Sequence, residues 1–242
     1  MGQNGSRGTS PATNPPRVSL INPNPFTTRP EIEGTFGVVA STHWIATAVG
    51  MGILEKGGNA FDAGVATAFT LQVVEPHLNG AGGDVPVILY DKRKGEPEVI
   101  CGQGPAPAGA TIAHYRDHLG LDMVPGTGLL AACIPGTFPT YMMILRDYGT
   151  MRLRDVLEPA IDYALNGHPL AERASATIAT VADLFREHWP TSAEVFLPGG
   201  NVPEPSTIFK NKRLAETYMR ILSEAEAGGG GREAEIERAT RA

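Results

Sequence analysis

The stretch from Lys56 to Val73 constrains this chain more than any other. Gly57 and Gly58 close off a preceding helix, since glycine takes the left-handed C′ conformation without steric cost. Asn59 and Asp62 follow with the spacing of a capping pair, an N-cap side chain with an acid three residues on. The helix they open carries Ala63, Gly64, Ala66 and Ala68, so it is thin and a neighbouring backbone can approach it closely. Its larger residues, Phe61, Val65, Phe69 and Val73, predict a core-facing side. Upstream, Ile45, Val49 and Ile53 recur at i, i+4 and i+8 along a first helix, with Ser41 or Thr42 as its expected cap. Before that helix, the β-branched and aromatic run Phe36 to Ala40 reads as a short buried strand.

Composition narrows the class. The chain has 242 residues, 42% of them hydrophobic, and 20 Lys+Arg against 26 Asp+Glu give a net charge of −6. That balance offers no general attraction for phosphate backbones, so nucleic-acid binding is excluded as the main role. No apolar run approaches the ~18 residues a membrane-spanning helix needs. Cys101 and Cys133 are too few for a disulfide framework, and 29 glycines indicate many tight turns. Residues 1–33, with Pro11, Pro15, Pro16, Pro23, Pro25 and Pro30 and few large apolar side chains, read as a flexible Pro-rich leader. It contains no apolar signal region, which leans towards a cytoplasmic protein, and the myristoylation-like pairing of Gly2 with Ser6 is too short a pattern to set against chance. Residues 34–225 form the expected main domain. In 226–242 a run of glycines (Gly228 to Gly231) precedes a charged segment whose only large apolar residue is Ile236. This part reads as a Gly-rich linker and charged tail, either floating or packed on something outside the chain.

Within the main domain the pattern is helix-rich with few strands. A hairpin is expected from Val87–Asp91, a turn at Lys92–Gly95, and Val99–Gly102. Further helices are expected after Pro135-Gly136-Thr137, over Leu153–Leu165 and Ala171–Phe185, and along the stripe Leu214, Tyr218, Ile221 and Leu222. The glycine-rich run His77 to Asp84 lies between helix and strand, whereas a phosphate loop runs from strand to helix, and it lacks Gly-Lys-Ser/Thr. His114 and His118 share a helix face, but Asp117 is the wrong acid for a zinc protease and no third ligand stands out, so a solvated polar helix is expected and no metal. Cys133, in the apolar run Leu129–Ile134, is expected to be an inert thiol, and Cys101 has no evident His partner. Thr42-His43 could open the mature chain of an enzyme with an N-terminal Thr nucleophile, yet Thr42 reads better as a helix cap. The residues taken alone supply no complete catalytic constellation.

Several motifs in order carry a family resemblance. Lys56-Gly57-Gly58-Asn59-Ala60-Phe61-Asp62-Ala63, Val74-Glu75-Pro76-His77 and Gly80-Ala81-Gly82-Gly83 resemble the large subunit of the gamma-glutamyltranspeptidase family, with a cephalosporin-acylase-like branch also open. Gly37 to His43, Ile134-Pro135-Gly136-Thr137, Tyr148-Gly149-Thr150 and Leu157-Glu158-Pro159-Ala160-Ile161 extend the resemblance over roughly Thr35 to Leu222. It implies an α/β, helix-rich part of an N-terminal-nucleophile αββα sandwich. It also implies a small subunit, cut from the same precursor, whose first residue is the nucleophilic Thr. That Thr would attack a small-molecule γ-glutamyl or related acyl amide and pass the acyl group to water or an amine, with no metal or organic cofactor. No catalytic residue then lies in this chain, which alone should be inactive, and much of the central sheet would lack partner strands. The family's Asp-Gly-Arg-Glu corresponds here to Cys101-Gly102-Gln103-Gly104. The resemblance makes Gln103 the substrate-binding residue, where an Arg would pair with the glutamyl α-carboxylate. Loss of such a pair costs about 2–5 kcal/mol, which turns attention to non-glutamyl acyl amides. The alternative is an inactive paralogue serving as a binding or structural subunit.

Overall fold

The capping pair at the start of the second helix is realised atom by atom. The computed structural model describes residues 32–242, so the leader over 1–31 and the Gly2 pattern lie outside the described residues. Helix α1 spans Trp44–Glu55 and α2 spans Ala60–Val74. The Asn59 side chain accepts the N–H groups of Phe61 at 2.9 Å and Asp62 at 3.0 Å, while the Asp62 carboxylate accepts the Asn59 N–H at 2.9 Å. Gly57, at φ +94°, supplies the left-handed residue that ends α1. The cap of α1 is neither Ser41 nor Thr42 but His43, whose Nδ1 accepts the Ile45 N–H at 3.2 Å. Both hydroxyls lie one or two residues too early and are engaged elsewhere: Ser41 donates to the His43 carbonyl at 2.8 Å, and Thr42 donates to the Glu75 carboxylate. The two helices meet at Gly50, where any Cβ would collide with the Thr67 hydroxyl and sit 2.8 Å from a Val39 methyl.

Behind α2 lies the main core. Phe69 is fully buried, with the rings of Tyr141 and Tyr218 edge-on at 5.2 and 5.6 Å. Those tyrosines come from α3 (Thr137–Tyr148) and α7 (Lys212–Glu226), and α4 (Leu153–Asn166) packs between α2 and α7. The Tyr218 hydroxyl, otherwise stranded in this apolar setting, donates to Gln72. Buried Asp62 binds α2 to the turn between α3 and α4. Its carboxylate accepts the Thr150 N–H (2.9 Å), the Thr150 hydroxyl (2.7 Å) and the Met151 N–H (3.1 Å).

Two strands, β1 (Val85–Tyr90) and β2 (Pro97–Gly102), form an antiparallel hairpin running from Val85 opposite Gly102 to Tyr90 opposite Pro97. Val85, Val87 and Ile100 turn inward onto the core. Ile88 and Val99, paired on the other face, are 80% and 76% exposed. A two-residue bridge, β3 (His168–Pro169) with β4 (Ile208–Phe209), begins and closes a satellite region. That region holds α5 (Glu172–His188) and α6 (Pro190–Phe196), packed on their own small apolar clusters.

Two further sequence expectations about the fold require correction. Phe36–Ala40 is not a buried strand: the segment joins no ladder, and Phe36 and Val38 are 69% and 51% exposed. An extended run is a strand only where a neighbour takes its hydrogen bonds. Residues 226–242 are not a linker and tail either. After the glycine turn, α8 (Gly231–Arg241) packs on α3 and α7 and buries Ile236 and Ala239. Its charges do much of the attachment. Arg232 donates to the carbonyls of Met151 (2.7 Å) and Leu145 at the end of α3, and Arg238 donates to those of Ala225, Gly228 and Gly229 (2.7–2.8 Å) at the end of α7. Glu235, itself buried, holds Arg152 at 2.6 Å. Cations at helix C-termini complement both the orphan carbonyls and the helix dipole.

Candidate functional site

Three segments cross beside the open end of the hairpin. The Gly83 carbonyl accepts the N–H groups of Gly136 and Thr137, each at 3.1 Å, and the Ile134 N–H donates to the Pro105 carbonyl at 3.0 Å. The crossing is so close that a Cβ on Gly104 would collide with the Ile134 carbonyl, and one on Gly136 with the Gly102 carbonyl. Glycine at both positions is therefore a packing requirement. The glycine-rich run before β1 is thus a backbone junction, in keeping with a chain order unsuited to phosphate.

This junction presents Gln103 to solvent at the end of β2. Because Val85 pairs with Gly102, Asp84 stands opposite Gln103, and the Gln103 Nε2 donates to the Asp84 carboxylate at 3.4 Å. The Cys101 sulfur lies 3.9 Å from the Gln103 Oε1. Among the described residues, Asp84 takes part in no ion pair. Reading the sequence missed Asp84. The signal was the hairpin register, since the residue preceding one strand faces the residue following the other.

The remaining candidates lie apart from this junction or carry no chemistry. His43 is buried at the start of α1, and burial lowers its pKa against the opposing pull of Glu75. Thr42 is committed to Glu75. His114 and His118, with rings 6.2 Å apart, occupy a short π-helical turn, and among the described residues no group of three His, Cys, Asp or Glu is placed to hold a metal. Cys133 was expected to be inert within apolar surroundings. It is exposed, as is Cys101, because the apolar run around it lies along a loop and not in the core. No helix among the described residues is long and apolar enough to cross a membrane.

A second feature surrounds α2. Its small residues Ala60, Gly64 and Ala68 line two grooves at once. One, of about 480 Å³, lies towards Val38–Thr42, and the other, of about 450 Å³, lies towards β1. The thin face of the helix is therefore uncovered between the Val38–Thr42 segment and β1.

Comparison with known proteins decides the family. The gamma-glutamyltranspeptidase family model matches residues 46–228. The chain belongs to the gamma-glutamyltranspeptidase family. The Glutathione hydrolase-like YwrD proenzyme of Bacillus subtilis is 37% identical over 190 residues, which is 78% of this chain and 35% of that protein. The structure of LmbA2991HD is 55% identical with a TM-score of 0.84, over 88% of this chain and 36% of that one. The crystal structure of Helicobacter pylori gamma-glutamyltranspeptidase is 31% identical with a TM-score of 0.74, over 86% of this chain and 61% of that one. The chain spans about a third of the length of the curated relatives it matches. Its fold is accordingly the helix-rich α/β arrangement of N-terminal-nucleophile hydrolases in this family.

Proposed function

We propose that this chain is the large-subunit portion of a gamma-glutamyltranspeptidase-like amidohydrolase or acyltransferase. In this reading the Thr nucleophile resides on a small subunit outside residues 1–242, and Gln103 contacts the acyl group of a small-molecule amide. The uncovered face of α2 carries the proposal. Its small side chains, flanked by the Val38–Thr42 segment and by β1, leave room for strands laid across the helix. The exposed outer residues Ile88 and Val99 give the hairpin an apolar face to bury in the same assembly. The small subunit would fill that space and bring its N-terminal Thr beside the Gln103 junction. The Thr oxygen would attack the amide carbonyl carbon, with its α-amine taking the hydroxyl proton and returning it to the departing amine. Water or an acceptor amine would then open the resulting ester. No cofactor enters this sequence.

A second reading, an inactive paralogue used as a binding or structural subunit, draws on Gln103, a neutral residue hydrogen-bonded to a carboxylate where the resemblance expects an Arg. Assay of the full-length gene product against γ-glutamyl and non-glutamyl p-nitroanilides separates the two. The enzymatic reading expects two polypeptides by intact mass, turnover of at least one anilide class, and none by residues 1–242 alone. Full-length protein that stays uncut and inert towards both classes overturns it.

A further inference from the structure

The hairpin register unites two side chains at one point, Asp84 and Gln103. Both are exposed, so a ligand can reach them, and both stand on backbone locked by the Gly104 and Gly136 crossing. Their mutual hydrogen bond is long, at 3.4 Å, which leaves most of the carboxylate's acceptor capacity unused. The pair carries one negative charge, and among the described residues no cation offsets it at Asp84. A ligand carboxylate approaching the Gln103 amide would meet a like charge about one hydrogen bond away. An ammonium or carboxamide group would instead find an acceptor beside a donor.

We propose that Asp84 and Gln103 form an acyl-group subsite that accepts amine or amide substituents and rejects carboxylates, with Asp84 as a specificity-determining residue. This rests on the reading of Gln103 as a substrate contact. It also has a consequence for restoring arginine. In a Gln103→Arg variant the new guanidinium would pair with Asp84, so a substrate carboxylate would find it already engaged. Only the double change Asp84→Asn with Gln103→Arg would present an unengaged cation.

The test uses the full-length gene product and two substrates differing in one group, γ-glutamyl p-nitroanilide and its α-carboxamide counterpart. Direct binding of L-glutamate and its α-amide, isoglutamine, is followed in parallel by NMR titration, which needs no turnover. The wild type should favour the carboxamide member of each pair by on the order of tenfold, as expected for like charges near an exposed site. Asp84→Asn and Asp84→Ala should both collapse that ratio, since they share only the loss of charge. The double variant should reverse the preference, and Gln103→Arg alone should fall well short of it. Turnover with a ratio indifferent to Asp84 overturns the subsite and leaves the amidohydrolase reading standing. Asp84-dependent binding of isoglutamine over glutamate without turnover of either substrate leaves the subsite standing, and the amidohydrolase reading then falls if the non-glutamyl anilides are inert as well. Absence of selective binding and of turnover overturns the subsite, and inertness towards the non-glutamyl anilides as well overturns both.

Discussion

Asp62→Ala should be among the most damaging single substitutions in this chain. The carboxylate is buried and is held by donors from two places: the Asn59 N–H at the start of its own helix, and the Thr150 N–H, Thr150 hydroxyl and Met151 N–H of the α3–α4 turn, at 2.7–3.1 Å. A hydrogen bond to a charged group contributes about 1.5–3 kcal/mol, so four such bonds sum to roughly 6–12 kcal/mol before any relief. Water can enter at the partly exposed ends of these contacts and relieve some of the donors, which brings the expected loss to about 3–5 kcal/mol. Asp62→Asn should cost less, about 2–3 kcal/mol, because one carbonyl acceptor survives while an amide N–H₂ is turned on the remaining donors. Urea unfolding followed by far-UV circular dichroism measures both, provided the m-value is unchanged. Amide exchange at Thr150 and Met151 should accelerate ahead of the rest of the core, because those two N–H groups lose their acceptor directly. A loss below about 1 kcal/mol for Asp62→Ala, or unaltered exchange at Thr150, would refute the claim that this carboxylate joins α2 to the α3–α4 turn.

Other substitutions test the remaining claims. Ile236→Ala should destabilise the chain by about 2–4 kcal/mol in the same assay, as for a buried core residue, and a floating tail would show no change. Burial lowers the His168 imidazole to about 4, with a Tyr163 backbone contact opposing and His43 adding to the shift. The unfolded chain therefore binds this proton first, so stability is full above about pH 6.5 and falls by about 3 kcal/mol as pH drops towards 4. His168→Gln should flatten that part of the pH–stability curve, and an unchanged slope would remove His168 as its source. Both Cys101 and Cys133 should react with a thiol reagent in the native protein, whereas a single reacting thiol would restore the buried reading of Cys133.

What the sequence made legible was whatever its local chemistry specifies. The Asn59–Asp62 cap, the Gly57 terminator and the hairpin turn at Lys92–Gly95 each follow from residues a few positions apart, and each stands in the structure where the pattern placed it. The misreadings arose where distant partners decide the outcome. Phe36–Ala40 has the composition of a strand, but a ladder needs a second strand, and no described segment provides one. Residues 231–241 lack an apolar stripe, yet Arg232 and Arg238 dock the helix through the carbonyl ends of α3 and α7, a use of charge that a hydrophobicity pattern does not register. Asp84 belongs to the same class, since its role depends on a register partner nineteen positions away.

These two kinds of misreading point in opposite directions. At α8 the chain satisfies itself better than its composition suggested, through paired charges and two buried apolar side chains, Ile236 and Ala239. At Phe36–Ala40, along the thin face of α2 and on the outer face of the hairpin, it satisfies itself less well: strand-forming and apolar groups stand ready with nothing against them. The arginine caps close the ends of α3 and α7, while these three faces keep exposed apolar groups without partners among the described residues. Under the proposed function, these are the faces against which the subunit carrying the nucleophile would pack.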